Sequence, residues 1–353
     1  MGRTNCPNYK LIMKKFVSFF LSLAFAGSTF AQMSGYSTSQ SDGTTLGANE
    51  TLTADGIALG NAVKLRGYVN YIMHRQDDGS NIFDDDLAND LTYTSGDLDF
   101  LFDFSPVTAE IHLGAEYGFE QIFGRYSATN DLHITFGRQV TTLGFETDEW
   151  TNRYAVTSAY VGDAAVDGSI YHQKNYVDGI RLNYNNGMFG FVFGLLDHYG
   201  INNDGDNLDD GMAIELAASV MFFPGLEARL GFANENDENS EDDSQQVNLW
   251  LAWNPSALTL AFEYDHFNMS DNANAWDLML LANYQFSDFF GATLRYSHMD
   301  HEVNGSSDIG SNRITLALLF AITEHFDVNF EYSHTSNDDK DDNELYLQGI
   351  VHF

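Results

Sequence analysis

Apolar and polar residues alternate with a period of two along most of this chain. Leu258, Leu260, Phe262 and Tyr264 are interleaved with Thr259, Ala261, Glu263 and Asp265, and Phe326, Val328, Phe330 and Tyr332 with Asp327, Asn329, Glu331 and Ser333. The last nine residues, LYLQGIVHF, keep the pattern to the end. Leu345, Leu347, Val351 and Phe353 fall on one face, and Glu344, Tyr346, Gln348 and His352 on the other. Successive strand side chains point to opposite faces, so each segment has an apolar face and a polar face that carries carboxylates. The pattern predicts sixteen strands, at 63–74, 94–104, 107–117, 119–127, 131–138, 176–184, 188–197, 211–222, 226–234, 246–254, 257–265, 275–286, 289–299, 312–322, 326–334 and 343–353.

A soluble sandwich would alternate in the same way. Three features predict instead an all-β, transmembrane, antiparallel up-and-down β-barrel. The segments have the roughly 9–11 residues that a tilted strand needs to cross a bilayer. The connections alternate in length, as in outer-membrane barrels. Short ones fall near 105–106, 128–130, 185–187, 223–225, 254–256, 287–288 and 323–325; long ones near 75–93, 139–175, 198–210, 235–245, 266–274, 300–311 and 335–342. Pro106, Pro224 and Pro255 all sit in the short turns, where no ladder donor is needed. Aromatics also form two bands, as interfacial girdles do. Phe104, Phe222, Trp253, Phe286, Phe290 and Phe353 lie near the short turns, and Tyr71, Tyr117, Tyr264, Trp276, Tyr296 and Tyr332 near the long loops. The fourth segment, 119–127, alternates least clearly, but an even strand count requires it. A closed barrel has no free edge, so the last strand is expected to pair with 63–74 and hold the terminus in the wall.

Met13-Lys14-Lys15 followed by the apolar Phe16–Ala26 and by Thr29-Phe30-Ala31 reads as a signal peptide over 1–31, cleaved before Gln32, with 1–12 a candidate upstream mis-start. The sole cysteine, Cys6, lies in it, so no disulfide, thiol chemistry or lipoprotein anchor is expected beyond it. Residues 32–62, rich in Ser, Thr, Gly and Asn, read as a flexible periplasmic segment, too short for the plug of a transporter, and 63–353 as the barrel pore.

The chain carries 16 Lys+Arg against 51 Asp+Glu, and the signal peptide takes four of the bases and none of the acids. That balance excludes nucleic acid as a partner. Acid runs at Asp84–Asp86, Asp204–Asp210, Glu235–Asp243 and Asp338–Asp342 lie in long loops and offer sites for Ca²⁺ or Mg²⁺, or for ion bridges to lipopolysaccharide. None has the glycine that an EF-hand needs at its sixth position, and a solvated acidic face is the plainer reading.

Parity assigns the lumen a set of acids, Asp99, Asp103, Glu110, Glu116, Glu215, Glu227, Glu263, Asp277, Asp327, Glu331 and Glu344. It assigns the bases Lys64, Arg66, Arg181, Arg229, Arg295 and Arg313, with Arg138 at the start of the 139–175 loop. Glu146, Asp148 and Glu149 of that loop would then face a basic wall across a constriction whose field orients polar solutes. The alternative is that the arginines only neutralise neighbouring carboxylates. The excess of acid predicts cation preference.

The stretch FGRQVTTLGFETDEWTNRYAVTSAY, Phe136–Tyr160, with YVDGIRLNY, Tyr176–Tyr184, resembles the Gram-negative porin superfamily, most of all the putative β-barrel porin family. In that family a strand ending in Phe/Trp-Gly-Arg precedes a long loop with a Gly-aromatic-Glu motif. The resemblance implies a sixteen-stranded outer-membrane channel for small hydrophilic solutes, with the third long loop folded into the pore. It implies contacts with lipid, lipopolysaccharide and the barrel-assembly machinery, which reads the C-terminal pattern ending in Phe353. It also implies a homotrimer, although the second loop, which latches a neighbour in trimeric porins, is very short here. It assigns no catalytic residue, organic cofactor or metal ligand.

Two rival readings come from other classes. His334-Thr335-Ser336-Asn337 resembles the His-x-Ser-Asn core of outer-membrane phospholipases, though Asp338 replaces the glycine that follows and no partner Asn is assigned. A receptor or adhesin could use the long loops.

Overall fold

The computed structural model describes residues 45–77, 89–115, 118–146, 149–159, 176–199, 211–237, 243–269, 273–302, 309–337 and 341–353. The expected signal peptide over 1–31, Glu116, Tyr117 and Asp148, and most of the acid runs lie outside them.

Sixteen long strands form one antiparallel ring, preceded by a two-residue strand β1 (Ile57–Ala58). The ring runs β2 (Val63–Asp77), β3 (Asn89–Phe104), β4 (Val107–Gly114), β5 (Gly118–Ser127), β6 (Leu132–Val140), β7 (Tyr176–Asn185), β8 (Phe189–Leu196), β9 (Gly211–Phe223), β10 (Leu226–Asp237), β11 (Ser244–Trp253), β12 (Leu258–Met269), β13 (Ala273–Ser287), β14 (Phe290–Glu302), β15 (Ile309–Thr323), β16 (Phe326–Asn337) and β17 (Asp341–His352). Each strand pairs with its neighbours in sequence, and β17 pairs with β2 to close the ring. At the seam the Phe353 amide donates to the Gly67 carbonyl and the Gly67 amide to the Phe353 carbonyl, both at 3.0 Å. Below that point β17 has ended. There β1 takes its place, with Ile57 and Ala58 opposite Leu65 and Lys64, so the free edge of β2 stays paired.

The burial is inverted relative to a soluble protein. Val69, Phe136, Ile180 and Leu230 are more than half exposed, while Asn70, Thr135, Arg181 and Arg229, next to them in sequence, are buried. A sandwich would bury the apolar face instead; lipid is the solvent that suits this one. Aromatic clusters mark both rims. Phe290 stacks on Phe286 and Phe320 at 5.2 and 5.0 Å near the short turns, and Trp276 meets His298 at 4.6 Å near the long loops. At the turn after β7, the Asn185 side chain accepts from the Gly187 amide at 2.8 Å, and Gly187 has φ +83°. Short polar residues and a glycine supply that turn for the reason sequence reading uses them.

Strands run further toward the long loops than their apolar faces do. β2 continues to Asp77 and β3 begins at Asn89, several residues beyond the alternation. Past the lipid belt the ladder needs no apolar face, so periodicity underestimates its length.

Of the segment before the barrel, 32–44 lies outside the described residues, and the rest packs against the barrel. Composition predicts a flexible periplasmic lead-in over 32–62, yet Leu46, Thr51 and Ala54 are fully buried against the inner wall, with a 3₁₀ turn at Glu50–Leu52. The Asn49 side-chain oxygen accepts from Arg125 at 2.6 Å, Thr51 donates to Glu110, the Asn185 amide donates to the Leu46 carbonyl at 2.8 Å, and Lys64 donates to the Ala54 carbonyl at 2.6 Å. The same short polar side chains that cannot build a core of their own can hydrogen-bond to a polar lumen. Gly47, at φ +76°, lies where any side chain would strike the Tyr184 backbone.

Candidate functional site

The barrel interior gathers the polar chemistry of the chain, and the connection after β6 is bound to it. Thr142 donates through its amide and hydroxyl to Glu215 on β9 at 2.7 and 2.8 Å. The Phe145 amide donates to Glu263 on β12 at 2.7 Å. The Thr157 amide and hydroxyl donate to Glu331 on β16 at 2.9 and 2.5 Å. Three carboxylates from three parts of the wall thus accept from the loop.

Arginines brace the same carboxylates and the loop backbone. Arg181 donates to Glu215 at 2.7 Å and to the Val140 carbonyl at 2.6 Å. Arg295 donates to Glu146 at 2.6 Å, to the Thr157 carbonyl at 2.8 Å and to the Ser158 carbonyl at 2.9 Å. Arg229 lies 4.7 Å over the Trp250 ring, and Trp250 meets Phe145 edge-on at 5.5 Å. Apolar contacts fill the gaps. Leu143 packs where Gly231 leaves room, since a Cβ there would sit 2.6 Å from the Leu143 Cγ. Outside the strands, burial pushes the Tyr199 phenol well above its ordinary range, with Glu215 adding to the effect. Tyr199 therefore stays neutral and donates toward Glu215 at 3.4 Å.

On the opposite wall the loop reaches β3 and β4. Trp150 lies 6.1 Å from Tyr93, and Glu149 comes within 4.0 Å of His112. His112 touches Asp99 at 3.2 Å and Glu110 at 2.9 Å, and Arg66 donates to Asp99 at 2.5 Å.

The profile of the family described as putative beta-barrel porin-2, OmpL-like, matches residues 110–348, well over half of the chain. The chain belongs to that family. No curated protein matches it in sequence. Solved outer-membrane barrels share its fold at low identity. OmpF of Salmonella typhi, in complex with daunomycin, superimposes with TM-score 0.66 at 13% identity, covering 83% of this chain and 98% of the other. The outer membrane channel DcaP of Acinetobacter baumannii gives TM-score 0.59 at 15% identity over 85% and 100%. The trimer form of OmpT, an outer membrane protein of Vibrio cholerae, gives 0.56 at 11% over 83% and 100%. The protein is a porin-type barrel of the bacterial outer membrane.

Within this porin barrel the expected lumen residues fall into distinct groups. Asp99, Glu110, Glu215, Glu263, Asp277, Glu331 and Glu344 are buried, as are Arg181, Arg229, Arg295 and Arg313. Glu227 lies beside Arg229 at 3.6 Å, and Glu344 beside Arg313 at 3.0 Å. Lys64 serves the N-terminal segment, and Asp327 contacts His352 at 3.0 Å near the closing seam. Asp103 keeps the inward parity of Asp99 and Leu101, but at the short-turn end it is exposed and accepts from the Ser105 amide at 2.9 Å and hydroxyl at 2.6 Å, capping that turn. Arg138 departs from the expectation. Its parity is that of the outward Ile134 and Phe136, and it pairs with Asp178 at 3.4 Å at the rim with its side chain 42% exposed. The pattern His133-x-Thr135 already points 138 outward, but proximity to the loop hides it.

Asp97, His112, Gln121 and Arg125 went unassigned in the sequence although all are buried within the wall. The same-face signal is present in the sequence: Asp97 and His112 lie two residues from Asp99 and Glu110, and Gln121 and Arg125 two residues to either side of the buried Phe123. His334, the candidate phospholipase histidine, contacts Asn343 at 3.0 Å and shares the outward parity of Phe330 and Tyr332.

Proposed function

We propose that this barrel is a passive diffusion channel for small hydrophilic solutes and ions, with the 139–175 loop as its constriction and a preference for cations. The observation that carries this reading is the anchoring of the loop to Glu215, Glu263 and Glu331, on well-separated strands of the inner wall. A segment held at three such points narrows the passage at a fixed position instead of swinging with solvent. The pairing of Arg295 with Glu146 supports opposed charges at that level. Cation preference is supported by the 51 acids against 16 bases and by charged groups setting pore selectivity.

Transport here needs no covalent step. The outward parity of His334 and its contact with Asn343 favour a strand-end role over hydrolysis. Assembly as a homotrimer belongs to the same proposal, supported by the fold shared with the trimer form of V. cholerae OmpT. Planar-bilayer recordings of the purified protein under a KCl gradient test the reading. Conductance steps with a cation-side reversal potential are expected, and unheated gel mobility reports the trimer.

A further inference from the structure

We propose that Asp97, Asp99, His112 and Glu149 form a binding site for a divalent transition-metal ion inside the barrel. Asp97 and Asp99 are two apart on β3 and share its inner face. Asp99 and His112 are direct cross-strand partners, and at Gly114, opposite Asp97, the missing side chain makes room for that of Glu120. Glu149 arrives from the loop. One ligand atom from each of the four lies within 4.8 Å of all the others.

Acids near one another are common without an ion, so the arrangement of their hydrogen bonds decides. Asp97 is only 5% exposed; its Oδ1 accepts from the Leu98 amide at 2.7 Å, while its Oδ2 is buried without a hydrogen-bond partner. Buried carboxylate oxygens are rarely left so. The Asp99 Oδ2 is taken by Arg66, but its Oδ1 also makes no hydrogen bond, although it lies 3.2 Å from the His112 Nδ1. Asp97 and Asp99 are close enough to share a proton, and a proton held between two carboxylates is what a metal ion displaces.

The histidine is oriented for ligation. Its Nε2 faces Glu110 at 2.9 Å, so an Nε2–H donated there turns the Nδ1 lone pair toward Asp99 and Glu149. Metal-bound histidines typically donate their second ring N–H to a carboxylate in this manner. The Gln121 amide, 3.2 Å from Nδ1, is the competing donor that the ion would displace. One imidazole with three carboxylates suits Zn²⁺ and its first-row relatives better than Ca²⁺ or Mg²⁺, which favour oxygen alone. Bonds of about 2.0–2.2 Å require only a modest contraction of the present spacing. The bound ion would fasten the loop to β3 and β4, across the lumen from its anchor on Arg295.

The test is calorimetric titration of EDTA-treated, detergent-purified full-length protein with ZnCl₂, with CaCl₂ as control. One saturable Zn²⁺ site per chain is expected, weakened at least tenfold by Asp97→Asn and by His112→Gln, and not competed by equimolar Ca²⁺. Unheated gel mobility reports whether these wall variants fold. Should they not fold, Glu149→Gln, which leaves every strand intact, carries the test with the same tenfold loss expected. Absence of saturable Zn²⁺ binding, or binding that folded Asp97→Asn, His112→Gln or Glu149→Gln retains in full, overturns the proposal. Conductance plays no part in this readout, so the site stands or falls independently of the channel.

Discussion

Arg295 on β14 donates to Glu146 over 2.6 Å, joining residues 149 positions apart inside the barrel. Arg295 is fully buried, and the same guanidinium holds the backbone of Thr157 and Ser158. One side chain thus clamps both arms of the connection to a single strand.

Arg295→Met should therefore loosen the loop more than it harms the ring. Removing one partner of a buried pair typically costs about 3–5 kcal/mol. We expect lower resistance to denaturant, higher and noisier single-channel conductance, and a folded barrel on unheated gels. Glu146→Gln keeps an acceptor for Arg295 and should cost nearer ~1 kcal/mol.

Gly231 tests the apolar side of the same attachment. A methyl group at this position would lie 2.6 Å from the Leu143 Cγ. Gly231→Ala should displace the start of the loop and alter conductance. Adding Leu143→Ala should restore the parent value, because the smaller side chain vacates the space; the double-mutant cycle measures that coupling.

The N-terminal segment gives a third expectation. Deleting 45–54 removes the contacts of Asn49 and Thr51 with Arg125 and Glu110, but no strand of the ring. Conductance should rise while unheated gel mobility still reports a folded barrel. Collapse of the barrel on this deletion would show the segment to be part of the core.

Closure of the ring makes a fourth. Deleting Phe353 removes both backbone hydrogen bonds to Gly67, at 3.0 Å each. The folded fraction recovered from detergent refolding should fall, with the remaining folded molecules conducting normally.

The ring itself was legible in the sequence because lipid on one side and polar contacts on the other impose a period of two on every strand. Even the faint segment at 119–127 exists, as β5 (Gly118–Ser127), and the strand count required it. Glu215 and Arg181, which the same parity sets on one face, are buried and paired at 2.7 Å. What parity could not give was where a non-periodic segment goes. Residues 45–54 have no alternation, and their polar composition suits water and a polar lumen equally. Parity also says nothing about strand ends, which is why Asp103 turned out to cap a turn. Asp97 and His112 share the inward parity of Asp99 and Glu110, but that they meet is not legible in the sequence, because only the β3–β4 register sets one strand's carboxylates beside the other's imidazole.

The most direct measurement of the central claim is planar-bilayer conductance of the purified, folded protein under a KCl gradient. An open channel narrowed by an anchored loop among acidic groups predicts stable steps and a reversal potential on the cation side. A folded, inserted barrel that passes no current, or one whose reversal potential lies on the anion side, would contradict it.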